Sequence, residues 1–410
     1  MSKGRKKPST YYWLLIVTIV LLLFGSVMIF SASSVMAFSR EGDSYYYLKK
    51  QLLWVLFSLP LMGLVSKIDY RKLRKFAVAG IVVSFLLLIL VLVPGIGRTA
   101  GGANRWIEIG FLRFQPSEFA KLAVILYAAS VLARRRDEIG GPSAQLLIRL
   151  LAVVGIVSLF ILLQPHLGNT FIIWLTVFVM MYLAGAKLTH IFGIGAAGGT
   201  LCLIAAFCES YRRERLLAFL NPWADPRNTG FQIIQSLFAF GSGGIRGLGW
   251  GMSHQKFFYL PAAHTDFIFA IIGEELGLIG TLFTVSAFML LAFLGIKISL
   301  KCEDSFGRLL GSGITFMILG QAIINMGAVT GVLPITGVPI PLISYGGSAL
   351  VFVLGGIGVL LNIASSEQNA AKRGKARKRD ASDHKRRGNS RTRIPGAGSS
   401  RSFKVYRGKA

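Results

Sequence analysis

Acidic residues are scarce in this chain. Its 410 residues include 18 Asp and Glu against 45 Lys and Arg, and only 15% are charged. Soluble domains carry about 25% charge, so a fold wetted on every side is excluded. Cysteine is scarcer still: Cys202 and Cys208 share one apolar run, and Cys302 lies in a polar connection. That set points to neither a structural disulfide nor a metal site. No CxxC, HExxH or P-loop pattern occurs, so the common metal and nucleotide motifs are absent. The residues require no cofactor, and a divalent cation stays open.

Apolar residues are what the chain has in abundance. They make up 53% of it, and the mean hydropathy is +0.60. Tyr11 to Ser39 contains no Asp, Glu, Lys or Arg. That run is too long for a signal-peptide core and has no A-x-A cleavage site, so it reads as a retained span. The runs predict an all-α integral membrane protein with about ten transmembrane helices. They fall near 12–32, 51–66, 76–96, 116–133, 147–164, 168–186, 188–208, 266–297, 309–331 and 343–364. A basic tail (1–11) precedes the membrane domain (12–365), and a second basic tail (366–410) follows it. The longest loop, 209–265, separates spans seven and eight.

Short basic loops stay cytoplasmic. Lys67 to Lys75, Arg134 to Arg136, Arg149, Lys187, Lys297, Lys301 and Arg308 fall on one side if there are ten spans. Both termini are then cytoplasmic. The formal charge of +27 owes about a third of its basic residues to the C-terminal tail. That tail has the composition of a disordered segment. It reads as an anchor for anionic lipid heads or a site for a cytoplasmic partner, with nucleic acid last.

Three loops on the other side are unusual. The first, Gly95–Leu122, runs through Gly-rich turns to Arg105, Trp106 and Arg113, then to a helix start at Gln115–Pro116. Glu118 suits the positive end of that helix, and Lys121 shares its face. An interfacial Trp and a surface ion pair would explain these residues equally well. The second, 209–265, has an apolar helical face over Phe231–Phe240 that suits the membrane interface. Dense glycine and cations including Lys256 follow, which suits an anionic ligand such as a phosphate. The third, Gly331–Leu350, holds Pro334, Pro339 and Pro341, which forbid a regular helix. Such backbone at membrane depth is buried in protein or lines a cavity. Ser344 follows, at the start of the last span.

The stretch "PAAHTDFIFAIIGEELGLIG" places three carboxylates at and inside an apolar run. Asp266 has two readings: a helix N-cap, or a general base on a hydroxyl, with His264 and the cationic loop beside it. Glu274, eight residues on and about 80° round a continuous helix, would look into the same cavity. Glu275 would point nearly opposite and pair with another span. Ionisable groups inside a span are functional candidates by default. Together the residues suit group transfer from a lipid-phosphate donor to an alcohol.

Four long segments carry a resemblance: "GGANRWIEIGFLRFQPSEFAKL", "FLNPWADPRNTGFQIIQSLFAFGSGG", "QKFFYLPAAHTDFIFAIIGEELGLIG" and "GVPIPLISYGGSAL". The chain resembles the SEDS family (shape, elongation, division and sporulation) from residue 11 to about 366. "NPWADP", "YYLKKQLLW" and the basic tail resemble the division branch, with the sporulation branch close. The resemblance implies a peptidoglycan glycosyltransferase polymerising lipid II at the extracytoplasmic face of the cytoplasmic membrane, at the division septum. It implies a growing glycan strand as acceptor, undecaprenyl diphosphate as leaving group, and partners in a class B penicillin-binding transpeptidase and small divisome activators. The family's catalytic Asp matches Asp266, its Arg-Trp motif Arg105 and Trp106, and its QPSE segment Gln115 to Glu118. Ala262 and Phe258 stand where many division members carry acids, which leaves Asp266 as the one loop candidate for the base. The substrate-binding candidates are Arg105, Trp106, Arg113, Glu118, Lys121, Lys256, His264, Glu274 and Ser344. A lipid II flippase would use intramembrane charge and broken helices too, and a scaffold for the transpeptidase is the third reading.

Overall fold

The computed structural model describes residues 7–366 except 96, 101–102, 110–111, 135–143, 190, 192, 194 and 196–209. Most of the predicted seventh span (190, 192, 194 and 196–208), Cys202, Cys208 and the C-terminal tail lie outside the described residues.

Helix α1 (Ser9–Glu41) starts after Pro8 and stops at Gly42, whose left-handed backbone (φ 73°) lets its N–H reach Phe38 O. Its 33 residues reach about 50 Å, well beyond the 12–32 expected. α2 (Tyr46–Val65) and α3 (Tyr70–Leu90) follow, the latter capped by Asp69 accepting from Arg71 N. Next come α4 (Pro116–Ala133), α5 (Ala144–Leu162) and α6 (Leu167–Leu183). Pro116 takes the first position of α4 as its sequence predicts. The 209–265 loop contains two helices, α7 (Ser210–Leu220) and α8 (Phe231–Gly243). α9 (Ile268–Lys301), α10 (Ser305–Val329) and α11 (Gly347–Ser366) complete the described residues. Among the described residues, eight helices are long and apolar enough to cross a membrane, and α6 is apolar but shorter.

α10 is the hub. In its most apolar window 78% of residues are buried, against 17% in α2 at the rim. Small residues let backbones close on it: Gly295 of α9 meets Thr315, and Gly311 meets Ser299 of α9. Between α3 and α4 the chain forms an antiparallel sheet, β1 (Gly97–Ala100), β2 (Ala103–Ile109) and β3 (Leu112–Phe114), in that order. Ile107 pairs with Gly97 on one side and Phe114 on the other. The Gly-rich stretch predicts turns leading to Arg105 and Trp106, whereas the chain forms strands there; the alternation of Ile107 and Ile109 with Glu108 is the strand signal.

α8 packs part of its apolar face against the bundle. Ile233, Ile234 and Ala239 are buried, and Ser236 Oγ donates to Val329 O of α10 (2.6 Å). Gly243 packs on the backbone of α9 at Gly273.

Candidate active site

The site is made by a break. Gly277 interrupts α9 with φ 64° and ψ −156°, a conformation open in practice only to glycine. The groups freed by the break are met by the Gly244–Gly249 strip. Leu278 N donates to Gly244 O (2.9 Å) and Ile279 N to Ile245 O (3.4 Å). In return Leu248 N donates to Glu274 O (2.9 Å) and Gly249 N to Glu275 O (3.0 Å). A Cβ on Gly247 would lie 2.2 Å from Glu275 O. The loop glycines therefore permit close approach to α9 itself.

The break decides where Asp266 goes. Below it, Gly295 faces Thr315 and Ser299 faces Gly311, so the two helices run antiparallel in a fixed register. A straight α9 in that register would carry Asp266 roughly 28 Å beyond Asn325. Instead Asn325 Nδ2 donates to Asp266 O (2.7 Å) and to Val338 O (2.7 Å). The segment before Gly277 is thus folded back onto the bundle end. There half-buried Asp266 faces the Pro-rich segment: a Cβ on Gly337 would sit 3.7 Å from its Oδ2. The N-cap position belongs to Phe267, with no side-chain cap bond. Asp266 stands one residue before that cap position.

His264 is buried two residues earlier. Its ring lies 4.5 Å from that of Tyr47 and 5.8 Å from that of Tyr345, and its carbonyl accepts from Tyr345 N (3.1 Å). Burial, with the Arg40 charge adding to it, pushes the imidazole down to about 4, so it is neutral at neutral pH.

Glu274 and Glu275 anchor the loop. Glu274 accepts from Ser253 Oγ (2.5 Å), His254 N (2.9 Å) and Gln255 N (3.3 Å). Both its oxygens are engaged there; the helix begins at Ile268, after Asp266, so the 80° relation along one helix does not apply. Glu275 accepts from Ser31 Oγ of α1 (2.6 Å) and from Lys256 Nζ (3.2 Å), the pairing with another span that its position predicted. Lys256 is buried in that pair and also donates to Gly251 O.

Glu118 and Lys121 form a second buried pair at 2.7 Å, their side chains 3% and 1% exposed. The surface ion pair of the sequence reading is therefore an interior one. Asn169 of α6 completes it, donating to Ser117 Oγ (2.9 Å) and accepting from Lys121 Nζ (3.3 Å). Beside Glu118 is a small cavity lined by Gln321, Ile340 and Ser344, among others. Ser344 Oγ accepts from Ile340 N (2.9 Å) and closes the turn there. The Pro-rich segment so runs from Asp266, at Gly337, to Glu118.

The sheet holds the remaining candidates. Arg105 donates to Gln164 O (2.9 Å) and Pro165 O (2.5 Å), tying β2 to the α5–α6 turn. Trp106 is half-buried in β2, and Arg113 pairs with Glu108 (2.8 Å) with its side chain 72% exposed. Sequence reasoning missed Asn325, Asn169, Ser31 and Tyr47. A lone Asn in an apolar helix is a detectable signal for the first two. Among the described residues no three His, Cys, Asp or Glu are grouped to hold a metal ion.

Comparison with known proteins decides the family. Residues 12–369 match the family model FTSW_RODA_SPOVE, described as cell cycle protein. The chain belongs to the FtsW/RodA/SpoVE family. A probable peptidoglycan glycosyltransferase FtsW of Geobacter sp. (strain M18) is 42% identical, over 87% of this chain and 97% of that one. Stage V sporulation protein E of Bacillus subtilis (strain 168) is 41% identical, over 88% and 98%. Among solved structures, one from work on the structural coordination of polymerization and crosslinking by a peptidoglycan synthase complex matches with TM-score 0.70 and 30% identity, over 87% and 98%. The rod shape determining protein RodA of Thermus thermophilus matches with TM-score 0.62 and 28% identity, over 86% and 95%. This family member is thus a membrane protein with the helical fold of its relatives.

Proposed function

We propose that the protein is a peptidoglycan glycosyltransferase that polymerises lipid II, with Asp266 as general base. The observation that carries this reading is the placement of Asp266. A half-buried carboxylate is delivered to the end of a membrane bundle by the Gly277 break and fixed through its main chain by Asn325. Relatives that align over most of the chain are named peptidoglycan glycosyltransferases.

In the reaction, Asp266 takes the proton of the acceptor's 4-hydroxyl. That oxygen bonds to C1 of the donor sugar, and the C1–O bond to the diphosphate breaks with its electron pair going to the diphosphate. The proton then passes from Asp266 to solvent. Fixed placement of the base relative to both substrates supplies much of the advantage, and general-base transfer adds typically ~10²–10⁴-fold. The exposed Arg213 and Arg227 make the 209–265 loop cationic, which favours an anionic donor. His264, held neutral by burial, adds no positive charge beside the carboxylate. Arg105 and the Glu118–Lys121 pair hold the surrounding backbone in place, and Trp106 and Arg113 offer contacts to sugar and phosphate.

The active face is extracytoplasmic, both termini are cytoplasmic, and the partners are a class B penicillin-binding transpeptidase and divisome activators. The division septum is the site of action. A sporulation role is the second reading, favoured by the 41% identity to stage V sporulation protein E.

The test is incubation of purified protein and its transpeptidase, with the transpeptidase site blocked, with fluorescent lipid II. Glycan ladders on a gel support the reading. No ladder, with lipid II translocation in liposomes, overturns it in favour of a flippase.

A further inference from the structure

The strip that fills the Gly277 break has an exposed apolar face, on which only Trp250 has a ring neighbour among the described residues, Phe30 of α1 at 6.4 Å. Ile245, bonded to Ile279 of α9, is 70% exposed; Trp250 and Met252 are 55% and 65% exposed. Their neighbours on α9, Leu278, Ile279 and Leu282, are exposed and apolar too, and belong to the stretch of α9 that spans the membrane. The strip therefore continues a lipid-facing surface.

Depth follows from the helix. Gly277 lies about 20 residues above exposed Lys297, roughly 30 Å of helix, which is the thickness of a bilayer's hydrocarbon. A Lys at a span end snorkels to the headgroups. With Lys297 at one boundary, Gly277 and the strip bonded to it fall at the other.

Composition agrees with that depth. Between Asp225 and Asp266 the chain has no acidic residue, while Arg246 stands exposed between the apolar Ile245 and Leu248. An exposed Trp beside an Arg is the side-chain set of a membrane interface, the ring at headgroup level and the cation against phosphate.

We propose that Ile245–Met252 is a membrane-docking loop. It seats its apolar face at the acyl–headgroup boundary of an anionic bilayer, at the Asp266 end of the bundle, with Arg246 against lipid phosphate. The loop is bonded to the break that delivers Asp266, so docking fixes the height of that carboxylate relative to the lipid phosphates. The inference rests on α9 crossing the membrane and is independent of the chemistry assigned to Asp266.

Site-directed spin labelling tests it on the full chain. Cys202, Cys208 and Cys302 are replaced by Ala, and a nitroxide is attached at Met252→Cys in liposomes of phosphatidylethanolamine and phosphatidylglycerol. Leu282→Cys serves as the lipid-facing reference and Asn228→Cys as the aqueous one. Collisions with oxygen and with a water-soluble nickel chelate are compared by power saturation. The label at 252 is expected to favour oxygen several-fold over its 228 counterpart. Arg246→Gln is expected to move it toward the 228 value in anionic liposomes and not in zwitterionic ones. Free access of nickel at 252 overturns the proposal. So does shielding from both reagents, which would mean a protein contact covers the loop. An Arg246→Gln label unmoved in anionic liposomes overturns the lipid-phosphate contact. Polymerisation of lipid II is not read in this experiment, so its outcome is separate from that of the catalytic reading.

Discussion

Replacing Gly277 by Ala is the sharpest perturbation the fold offers. Its backbone lies where L residues are strained by ~1–3 kcal/mol. The new Cβ would lie 2.4 Å from Gly247 N and 2.6 Å from Ile245 O. These are main-chain atoms that no rotamer change can move aside, and overpacking of this kind costs ~1–3 kcal/mol. The sum, ~2–6 kcal/mol, is a large part of the ~5–15 kcal/mol of an ordinary fold. The chain has two ways to relax. It can straighten α9, which lifts Asp266 off Asn325, or expel the 244–249 strip, which gives up four backbone hydrogen bonds. Either way the carboxylate moves, and ~1 Å of misplacement costs on the order of 10²-fold in rate. The assay pairs the melting temperature in detergent with lipid II polymerisation. Gly241→Ala is the control, since nothing lies within 4 Å of its added methyl and it sits in a helix. We expect Gly277→Ala to melt several degrees lower and lose at least ~10-fold in polymerisation, while Gly241→Ala keeps both. A Gly277→Ala protein with the wild-type melting temperature and activity would refute the claim that the break positions the base.

Three other outcomes follow from the same contacts. Lys256→Met strands Glu275 in the interior and should cost ~3–5 kcal/mol, with the Lys256→Met, Glu275→Gln double variant regaining part of the loss in thermal melts. Asn325→Ala removes the donor shared by Asp266 O and Val338 O; steady-state kinetics should show kcat down at least ~10-fold with KM little changed. His264 has a folded-state pKa of about 4, below its unfolded 6.5, so the unfolded chain binds the extra proton between those values. Stability is therefore full above pH 6.5 and is lost as pH falls toward 4, by about 3 kcal/mol in all. Melting temperature against pH should show that slope in wild type, and His264→Phe should flatten it.

The parts of this protein legible in its sequence are those set by local composition. Apolar runs marked the helices, three prolines marked the non-helical segment, and Pro116 marked the start of α4. The site was legible only as a set of residues. Glu275 meets Ser31 across 244 positions of chain, and no local period encodes that. The Gly277 break was hidden because glycine inside an apolar run is compatible with a continuous helix. Its evidence is the partner strip, whose glycines face the α9 backbone. Glu274 was misplaced for another reason: the helix begins only at Ile268, so Asp266 and Glu274 do not share one helix, and the folded chain spends Glu274 on Ser253 and the backbone of His254 and Gln255. Glu118 and Lys121 looked like a surface pair because spacing alone cannot report that α6 covers them with Asn169.

The central claim is that Asp266 acts through its charge. Asp266→Asn keeps the shape and leaves the main-chain bond from Asn325 untouched, so the folded placement survives. Polymerisation of fluorescent lipid II should fall at least ~10²-fold in a variant that melts like wild type. Undiminished ladders from Asp266→Asn would contradict the account.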